Sequence, residues 1–206
     1  MITEKRLRMF NVFARKPFGE FTRNQIKRES KEKSNNGLAL AVDQLKKEGV
    51  VIEKKIGRSG LLMLELSNEL TIAYISLANR LGIKGEVEAA LLELKKEISS
   101  ITPFYALVIF GSYAAGEQKK SSDLDIAVLI DGVEKRGKIE AAINSARLKV
   151  LLRIDAHVIS GSEFIGMLTN DEENLGKQIA RKHLVVHNQG IFYDIVGGGM
   201  KHGFHV

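Results

Sequence analysis

The sequence predicts an α+β fold in two unlike parts, and three observations support this class. Residues 1–60 hold 15 Lys and Arg against 7 Asp and Glu, a net charge of +8, whereas residues 61–206 hold 16 against 18, a net charge of −2. The basic part shows three helix-like segments ahead of two β-prone runs. The second part alternates strand-like and helical segments, which predicts a small mixed β-sheet flanked by helices.

Length and composition limit the possible architectures of this chain. Its 206 residues are 44% hydrophobic and 27% charged, which is ordinary globular usage and argues against global disorder. Cysteine is absent, so disulfides and thiolate metal sites are excluded, and a reducing cytoplasm is the expected compartment. We see no secretory leader and no apolar run near the roughly 20 residues of a membrane span. The expected parts are a first domain over 1–68, a helical connector over 69–100, a second domain over 101–196 and a flexible tail over 197–206.

The basic part begins with two predicted helices. Thr3 is a suitable N-cap for the first, in which Leu7 and Phe10 recur at helical spacing. Pro17 interrupts this pattern and ends the helix. Thr22 is the expected N-cap of a short second helix.

A third predicted helix leads into a hairpin. The helix passes through an apolar set over 38–45 and ends before Gly49, which is a suitable residue just past a helix end. Two β-prone runs follow, over 50–56 and 61–66, joined by a basic glycine turn that contains Arg58.

Three short helices followed by a hairpin resemble a winged helix-turn-helix domain, over about residues 3–67. The resemblance and the basic charge imply contact with DNA, whose phosphates would supply the affinity. We assign this contact to both ends of the third helix and to the hairpin turn, at Asn35, Asn36, Lys46, Lys47 and Arg58. Two alternatives stay open, since winged helices also bind proteins and charge runs are often only solvated surface.

Residues 69–100 predict the helical connector. One apolar set runs over 70–81 and a second over 87–98, with Gly82 and Gly85 between them. These faces pack in a core or at an interface, and a homodimer seam is one of the alternatives.

The second domain contains the apolar runs expected of a buried sheet. Strands are predicted over 106–110, 124–130 and 154–159, with a short edge strand over 184–187. Helices are predicted over 134–151, 161–168, 172–182 and 191–196.

Acidic residues begin two of these strands, downstream of a Gly-Ser pair. Gly111 and Ser112 end the first strand, where the glycine lets the backbone approach a ligand and the following N–H groups can bind phosphate. Asp123 and Asp125 lie on one face of the next strand, because strand side chains alternate. Two such carboxylates repel unless a cation lies between them, and Mg²⁺ prefers oxygen ligands of this kind. If the next strand is a neighbour, Asp155 joins them, which suits two-metal phosphoryl chemistry.

This pattern of G-S, D-x-D and a third Asp resembles the DNA polymerase β-like nucleotidyltransferases, in particular the minimal ones of prokaryotes, over about residues 100–196. The resemblance implies that Asp123 and Asp125 bind both metal ions. It implies that Asp155 completes the catalytic metal site and helps to deprotonate the acceptor hydroxyl. It also implies that Gly111 and Ser112 hold the β- and γ-phosphates of the nucleotide.

One position departs from the family pattern. The family often has a basic residue before the second glycine, in the form G-S-x-A-R-G, whereas this chain has Ala115 there. A phosphate contact is therefore in doubt, and Lys119 and Lys120 are either its substitutes or solvated loop residues. His157 shares the strand face of Asp155, and we interpret it as a packed neighbour and not as a ligand.

Three functional hypotheses follow. The first is a nucleotidyltransferase that uses Mg²⁺ or Mn²⁺ to move a nucleotidyl group from a nucleoside triphosphate, with ATP expected, to a hydroxyl. The acceptor would be a small molecule or a protein such as a partner toxin, and the basic domain would bind DNA. The second is a DNA-binding regulator whose second domain only senses nucleotide, which Ala115 keeps open. The third hypothesis is an enzyme that modifies antibiotics. It is less favoured, because such an enzyme would not need the basic domain.

Overall fold

The computed structural model describes residues 2–56 and 59–204. It divides into two compact units, Met1–Arg80 and Leu81–Val206. The division falls inside the expected connector over 69–100: its first helix groups with the N-terminal unit and its second helix with the C-terminal unit. No helix of the described residues is long and apolar enough to cross a membrane.

The N-terminal unit contains helices and a hairpin in the order that the periodicity predicts. Its elements are α1 (Glu4–Ala14), α2 (Arg23–Glu29), α3 (Asn35–Lys47), β1 (Val51–Ile56), β2 (Ser59–Leu64) and α4 (Glu69–Gly82), the last of which ends two residues into the second unit. The predicted N-caps Thr3 and Thr22 are confirmed, and Thr22 forms a capping box with Gln25. Ser34 caps α3 by accepting a hydrogen bond from the Gly37 N–H at 3.0 Å.

Aromatic side chains form much of the core of this unit. Phe10 packs edge-on against Tyr74 with 5.6 Å between ring centroids, and Phe13 packs edge-on against Phe21 at 5.3 Å. The backbone of Phe21 also exchanges two hydrogen bonds with Leu62, of 2.9 and 2.8 Å. This bridge ties the segment between α1 and α2 to the hairpin.

The C-terminal unit is built around a mixed sheet, as the sequence predicts. Its elements are α5 (Glu86–Ser99), β3 (Tyr105–Ile109), α6 (Gly111–Ala115), β4 (Leu124–Ile130), α7 (Arg136–Arg147), β5 (Ile154–Ser160), α8 (Gly161–Thr169), α9 (Leu175–Arg181), β6 (Leu184–His187) and α10 (Gln189–Lys201). The strand order is β5-β4-β3-β6; β3 is antiparallel to both of its neighbours, and β4 and β5 are parallel. Every residue of β3 is buried, and Asp125 alone interrupts the burial of β4.

The end of the described chain differs from the flexible tail expected over 197–206. Helix α10 continues to Lys201, and Phe204 beyond it is buried. Gly199 packs so closely on α8 that a Cβ there would lie 2.7 Å from Leu168 Cδ1. Gly199 therefore allows close helix packing here, where the sequence suggested only a flexible end.

Candidate active site

Two of the three acidic residues lie side by side on neighbouring strands. In the parallel pair β4 and β5, Asp125 is in register with Asp155, and Leu124 with Ile154. Neighbouring strands lie about 4.8 Å apart, so these carboxyl groups start from adjacent backbones at one edge of the sheet. Asp123 immediately precedes β4 at the same edge. The structure thus brings the carboxylates together as the strand pattern predicted, while their roles stay predictions.

The electrostatics of Asp125 reflect this crowding. Burial, followed by the negative charges of Asp155 and Asp123, raises the pKa of the Asp125 carboxyl above its usual value. The nearby His157 and a hydrogen bond from the Ser112 backbone act in the opposite direction. A cation would stabilise this arrangement, in which a partly buried carboxyl lies beside two like charges.

Asp123 carries an oxygen that is left without a hydrogen bond. Its Oδ1 atom is buried and no hydrogen-bond donor among the described residues reaches it. Arg153 Nε lies 3.3 Å from this oxygen, but the pair has the separation of an ion pair without hydrogen-bond geometry. Since a buried carboxylate oxygen normally has a partner, this one is suited to receive a metal ion or a donor from a substrate.

The Gly-Ser turn presses against Asp125. Gly111 follows β3 with φ +63°, and any Cβ there would overlap the Asp125 carboxylate. The Ser112 backbone N–H donates to the same carboxylate, and the Phe110 N–H donates to the Asp125 carbonyl at 3.1 Å. Only glycine satisfies both the positive φ and the close approach. The turn and the D-x-D segment are therefore one packed unit.

The position of the family's basic residue is filled by a small side chain. Ala115 is the last residue of α6, and Gly116 then adopts φ +73°. Lys119 and Lys120 follow in an exposed loop, in which the Lys119 N–H donates to Ser122 Oγ at 2.9 Å. Neither lysine forms an ion pair within the described part of the chain. Both are therefore available to an anion.

His157 and Arg153 also lie at this edge of the sheet. His157 Nε2 is 3.7 Å from Asp155 Oδ2, and its ring centroid is 6.0 Å from that of Phe110. Both residues are two positions from Asp155 on one strand face, so the alternation that located Asp155 also locates them. The sequence reasoning noted His157 as a neighbour and overlooked Arg153.

The donor set fits a divalent cation, although it is not gathered into a finished site. Among residues 2–56 and 59–204, no three His, Cys, Asp or Glu side chains lie close enough together to hold a metal ion. The fit rests on the Oδ1 of Asp123, which accepts no hydrogen bond, and on the like charges of Asp125 and Asp155, all oxygen donors of the kind Mg²⁺ and Mn²⁺ accept.

The residues predicted to contact DNA do not form one cluster. Asn35 begins α3 and accepts a hydrogen bond from Lys27 Nζ at 2.6 Å, whereas Lys46 pairs with Glu53 near the other end. Eleven residues of helix separate them by about 16 Å. Asn36 and Lys47 are exposed. Arg58 lies outside the described residues.

Comparisons with known proteins bear on the C-terminal unit. Residues 91–186 match the family described as "Nucleotidyltransferase domain". These residues are a nucleotidyltransferase domain, and the match covers β3, β4 and β5 with all three acids. It agrees with the resemblance seen in the sequence.

A curated relative points to a particular kind of transfer. A protein of Methanocaldococcus jannaschii with the name "Putative protein adenylyltransferase" is 43% identical over 49 residues, which cover 24% of this chain and 57% of that relative. The chain thus spans somewhat more than half of the relative's length. Together the two matches show that part of this chain is similar to nucleotidyltransferases.

Proposed function

We propose that the C-terminal unit transfers a nucleotidyl group from a nucleoside triphosphate, ATP first of all, to a hydroxyl group of an acceptor. The observation that carries this proposal is the register of Asp125 with Asp155 beside the Gly111 turn, inside the region that matches the nucleotidyltransferase family. The relative's name favours a protein over a small molecule as acceptor.

Each residue of the candidate site has its own role in the proposed transfer. The acceptor oxygen attacks the α-phosphorus, a new phosphoester bond forms, and the bond to the bridging oxygen breaks so that pyrophosphate leaves. Asp155, whose side chain is 57% exposed, takes the proton of the acceptor hydroxyl. Asp123 and Asp125 would hold Mg²⁺ or Mn²⁺, together with Asp155 for the catalytic ion, and a bound ion would withdraw charge from the phosphates. Gly111 and Ser112 would hold the β- and γ-phosphates.

The test replaces the Asp125 carboxylate. Its transfer rate is compared with that of a variant in which an acid just beyond the other end of the same strand is replaced. Asp125→Asn should lower the initial rate of label transfer from α-labelled ATP by about 100-fold or more. Asp131→Asn, at an exposed position just after β4, should leave the rate unchanged. Equal rates for Asp125→Asn and the wild-type protein would remove Asp125 from the site. No transfer and no nucleotide binding by the wild-type protein, with any of the four nucleotides, would refute the function.

For the N-terminal unit we propose a winged helix-turn-helix that binds DNA. The helix order, the hairpin and the Phe21 to Leu62 bridge support this fold, and the net charge of +8 over residues 1–60 supports a polyanionic partner. Fluorescence anisotropy with duplex DNA should show affinity that falls steeply as salt rises, because phosphate contacts release counterions. A flat salt response would count against DNA.

A second candidate function is a DNA-binding regulator that senses nucleotide without turnover. Ala115 favours it, because this side chain cannot supply the phosphate contact of a basic residue. In that case Asp123→Asn with Asp125→Asn would leave duplex binding intact, and nucleotide would change duplex affinity without any transfer. Nucleotide transfer by the wild-type protein would refute the purely sensory function.

Compartment and assembly complete the proposal. A chain without cysteine suits a cytoplasmic enzyme.

Leu70 and Leu77 of α4 are partly exposed one above the other, at 37% and 38%, and would form the seam of a homodimer. Light scattering coupled to gel filtration measures the mass, and a monomer at all concentrations would refute the dimer.

A further inference from the structure

A short loop leads directly into the candidate active site. Residues 148–153, named here the rim loop, join α7 to β5. The Arg153 carbonyl accepts a hydrogen bond from the Leu124 N–H at 2.8 Å, between the two acids of the D-x-D segment. Four residues span at most about 14 Å, so the Cα of Leu151 lies within that distance of the Cα of Asp155.

The rim loop presents two leucines to solvent. Leu148 is 89% exposed and Leu151 is 93% exposed, the two highest values among the large hydrophobic side chains of the described residues. An exposed leucine alone needs no explanation, since much protein surface is apolar. Two of them on one short segment beside the candidate active site form an unusual exposed apolar surface.

An ion-pair network at Lys149 holds the loop. Lys149 Nζ donates to Glu93 Oε1 at 2.8 Å and to Glu97 Oε1 at 2.5 Å, which fastens the loop to α5. These contacts raise the pKa of the Lys149 ammonium and lower the pKa of the Glu93 carboxyl, so the charged forms persist at neutral pH. The Lys149 N–H also donates to the Ala146 carbonyl at 3.0 Å.

Neighbouring residues fix both ends. Arg147 Nε donates to the Ile154 carbonyl at 3.1 Å, which closes the loop across its base. Val150 and Leu152 pack against the hydrophobic core. Inward-facing and anchored residues thus separate Leu148 from Leu151. The backbone is held, and these two leucines are the apolar side chains of the loop that are directed outwards.

Two basic side chains adjoin the leucines in the chain, Lys149 in its ion pairs with Glu93 and Glu97 and Arg153 beside Asp123. The Arg153 side chain is 82% exposed, and Lys149 remains 47% exposed despite its ion pairs. Lys119 and Lys120 are exposed in the loop that leads to Asp123 at the same edge. A surface of apolar anchors with basic neighbours complements an apolar patch flanked by acidic residues.

We propose that the rim loop is the docking surface for a protein acceptor, which presents its hydroxyl beside an apolar patch with acidic neighbours. This inference rests on the proposed nucleotidyl transfer and identifies the acceptor class of that site. A protein interface of about 800 Å² per partner has a radius of roughly 16 Å, so an acceptor centred on the carboxylates would cover Leu151. A small-molecule acceptor would need neither leucine.

The experiment removes the two leucines and compares the variant with a matched one. Leu148→Ser with Leu151→Ser alters the rim loop, and Leu92→Ser with Val133→Ser alters two other exposed positions of the same unit, at 64% and 57%. The probe is α-labelled ATP with Mg²⁺ or Mn²⁺ and a desalted protein extract of the source organism. The rim variant should lose about 10- to 100-fold in transfer to protein at low acceptor concentration, while its nucleotide Kd and melting temperature match those of the control. At saturating acceptor, the rate should recover.

Crosslinking gives a second readout. A photoreactive p-benzoylphenylalanine at position 148 should crosslink to the same protein that receives the label, and at position 92 it should not. Unchanged transfer to protein by the rim variant would overturn the inference while nucleotidyl transfer still stands. If the wild-type protein neither binds nucleotide nor transfers label, the proposed function fails and the docking surface fails with it.

Discussion

The basic N-terminal unit and the acidic edge of the C-terminal unit differ in the charges that lie next to their carboxylates. In the first, ion pairs with Lys or Arg involve Glu20, Glu32, Asp43, Glu48 and Glu53, which are five of the seven acids of residues 1–60. In the second, Asp125 has Asp155 and Asp123 as charged neighbours, and its pKa is raised. Net charge is thus a poor guide to the local electrostatic field. Residues 61–206 have a net charge of only −2, yet they contain carboxylates that lie beside like charges.

The largest expected effect comes from removing a carboxylate of that edge. Asp155→Asn should reduce nucleotidyl transfer by about 100-fold or more, because the variant cannot take the acceptor proton. Its melting temperature should stay within a degree or two, since the side chain is 57% exposed. Asp194→Asn, an exposed acid of α10, is the control. A rate close to that of the wild-type protein would mean that this carboxylate is not the base.

The next effect concerns a buried group that stays neutral. Burial lowers the pKa of His183 to about 4 from 6.5, although hydrogen bonds with the carbonyls of Ile179 and Ala180 oppose this. The folded state thus binds fewer protons than the unfolded state between these values. The stabilisation is fully present above pH 6.5 and is lost as the pH falls towards 4, by about 3 kcal/mol.

Urea unfolding measured at pH 7, 5.5 and 4 tests this prediction. His183→Gln stays neutral throughout and should remove most of the difference between pH 7 and pH 4, leaving the part due to the carboxylates. The same pH slope in the variant and the wild-type protein would show that His183 is not responsible.

A smaller effect separates two glycines that share a positive φ. Gly111→Ala and Gly116→Ala both place a side chain at φ near +70°, which costs about 1 kcal/mol each. A Cβ at Gly111 also displaces the Asp125 carboxylate, whereas Gly116 has open space around it. Gly111→Ala should therefore lose about 2 kcal/mol more in unfolding free energy, and it should lose transfer as well. Equal losses in both variants would mean that the turn is not packed on Asp125.

The smallest effect lies in the basic unit. Glu53 accepts from Lys46 and lies 3.9 Å from Arg23, and the Lys46 hydrogen bond lowers the pKa of this carboxyl. Glu53→Gln should free Lys46 from its ion pair, while Arg23 keeps Asp43 at 3.8 Å, and it should strengthen duplex binding by a few-fold at low salt. Glu29→Gln changes the net charge equally, but Glu29 forms no ion pair within the described residues. If both variants bind alike, net charge alone controls the affinity.

Local features of the fold were accessible from the sequence. Thr3 and Thr22 could be recognised as N-caps because a short side-chain oxygen ahead of an apolar period satisfies free N–H groups. The strand pattern was recognisable for a similar reason, since Asp123 and Asp125 stand two positions apart where the apolar run of β4 begins. Features that depend on distant partners were not accessible. Examples are the Phe21 to Leu62 bridge, the packing of Gly199 on Leu168 and the division of the chain after Arg80.

By itself, the sequence determined which residues are candidates for the chemistry: a Gly-Ser turn, a pair of acids at strand spacing and a third acid on a later strand. Only the tertiary structure decided that Asp125 stands in register with Asp155, that Gly111 touches that carboxylate and that Leu148 and Leu151 face outwards from an anchored loop. The reason is physical. Periodicity reports which face of an element a residue occupies, whereas strand order, register and burial depend on contacts between segments far apart in the chain.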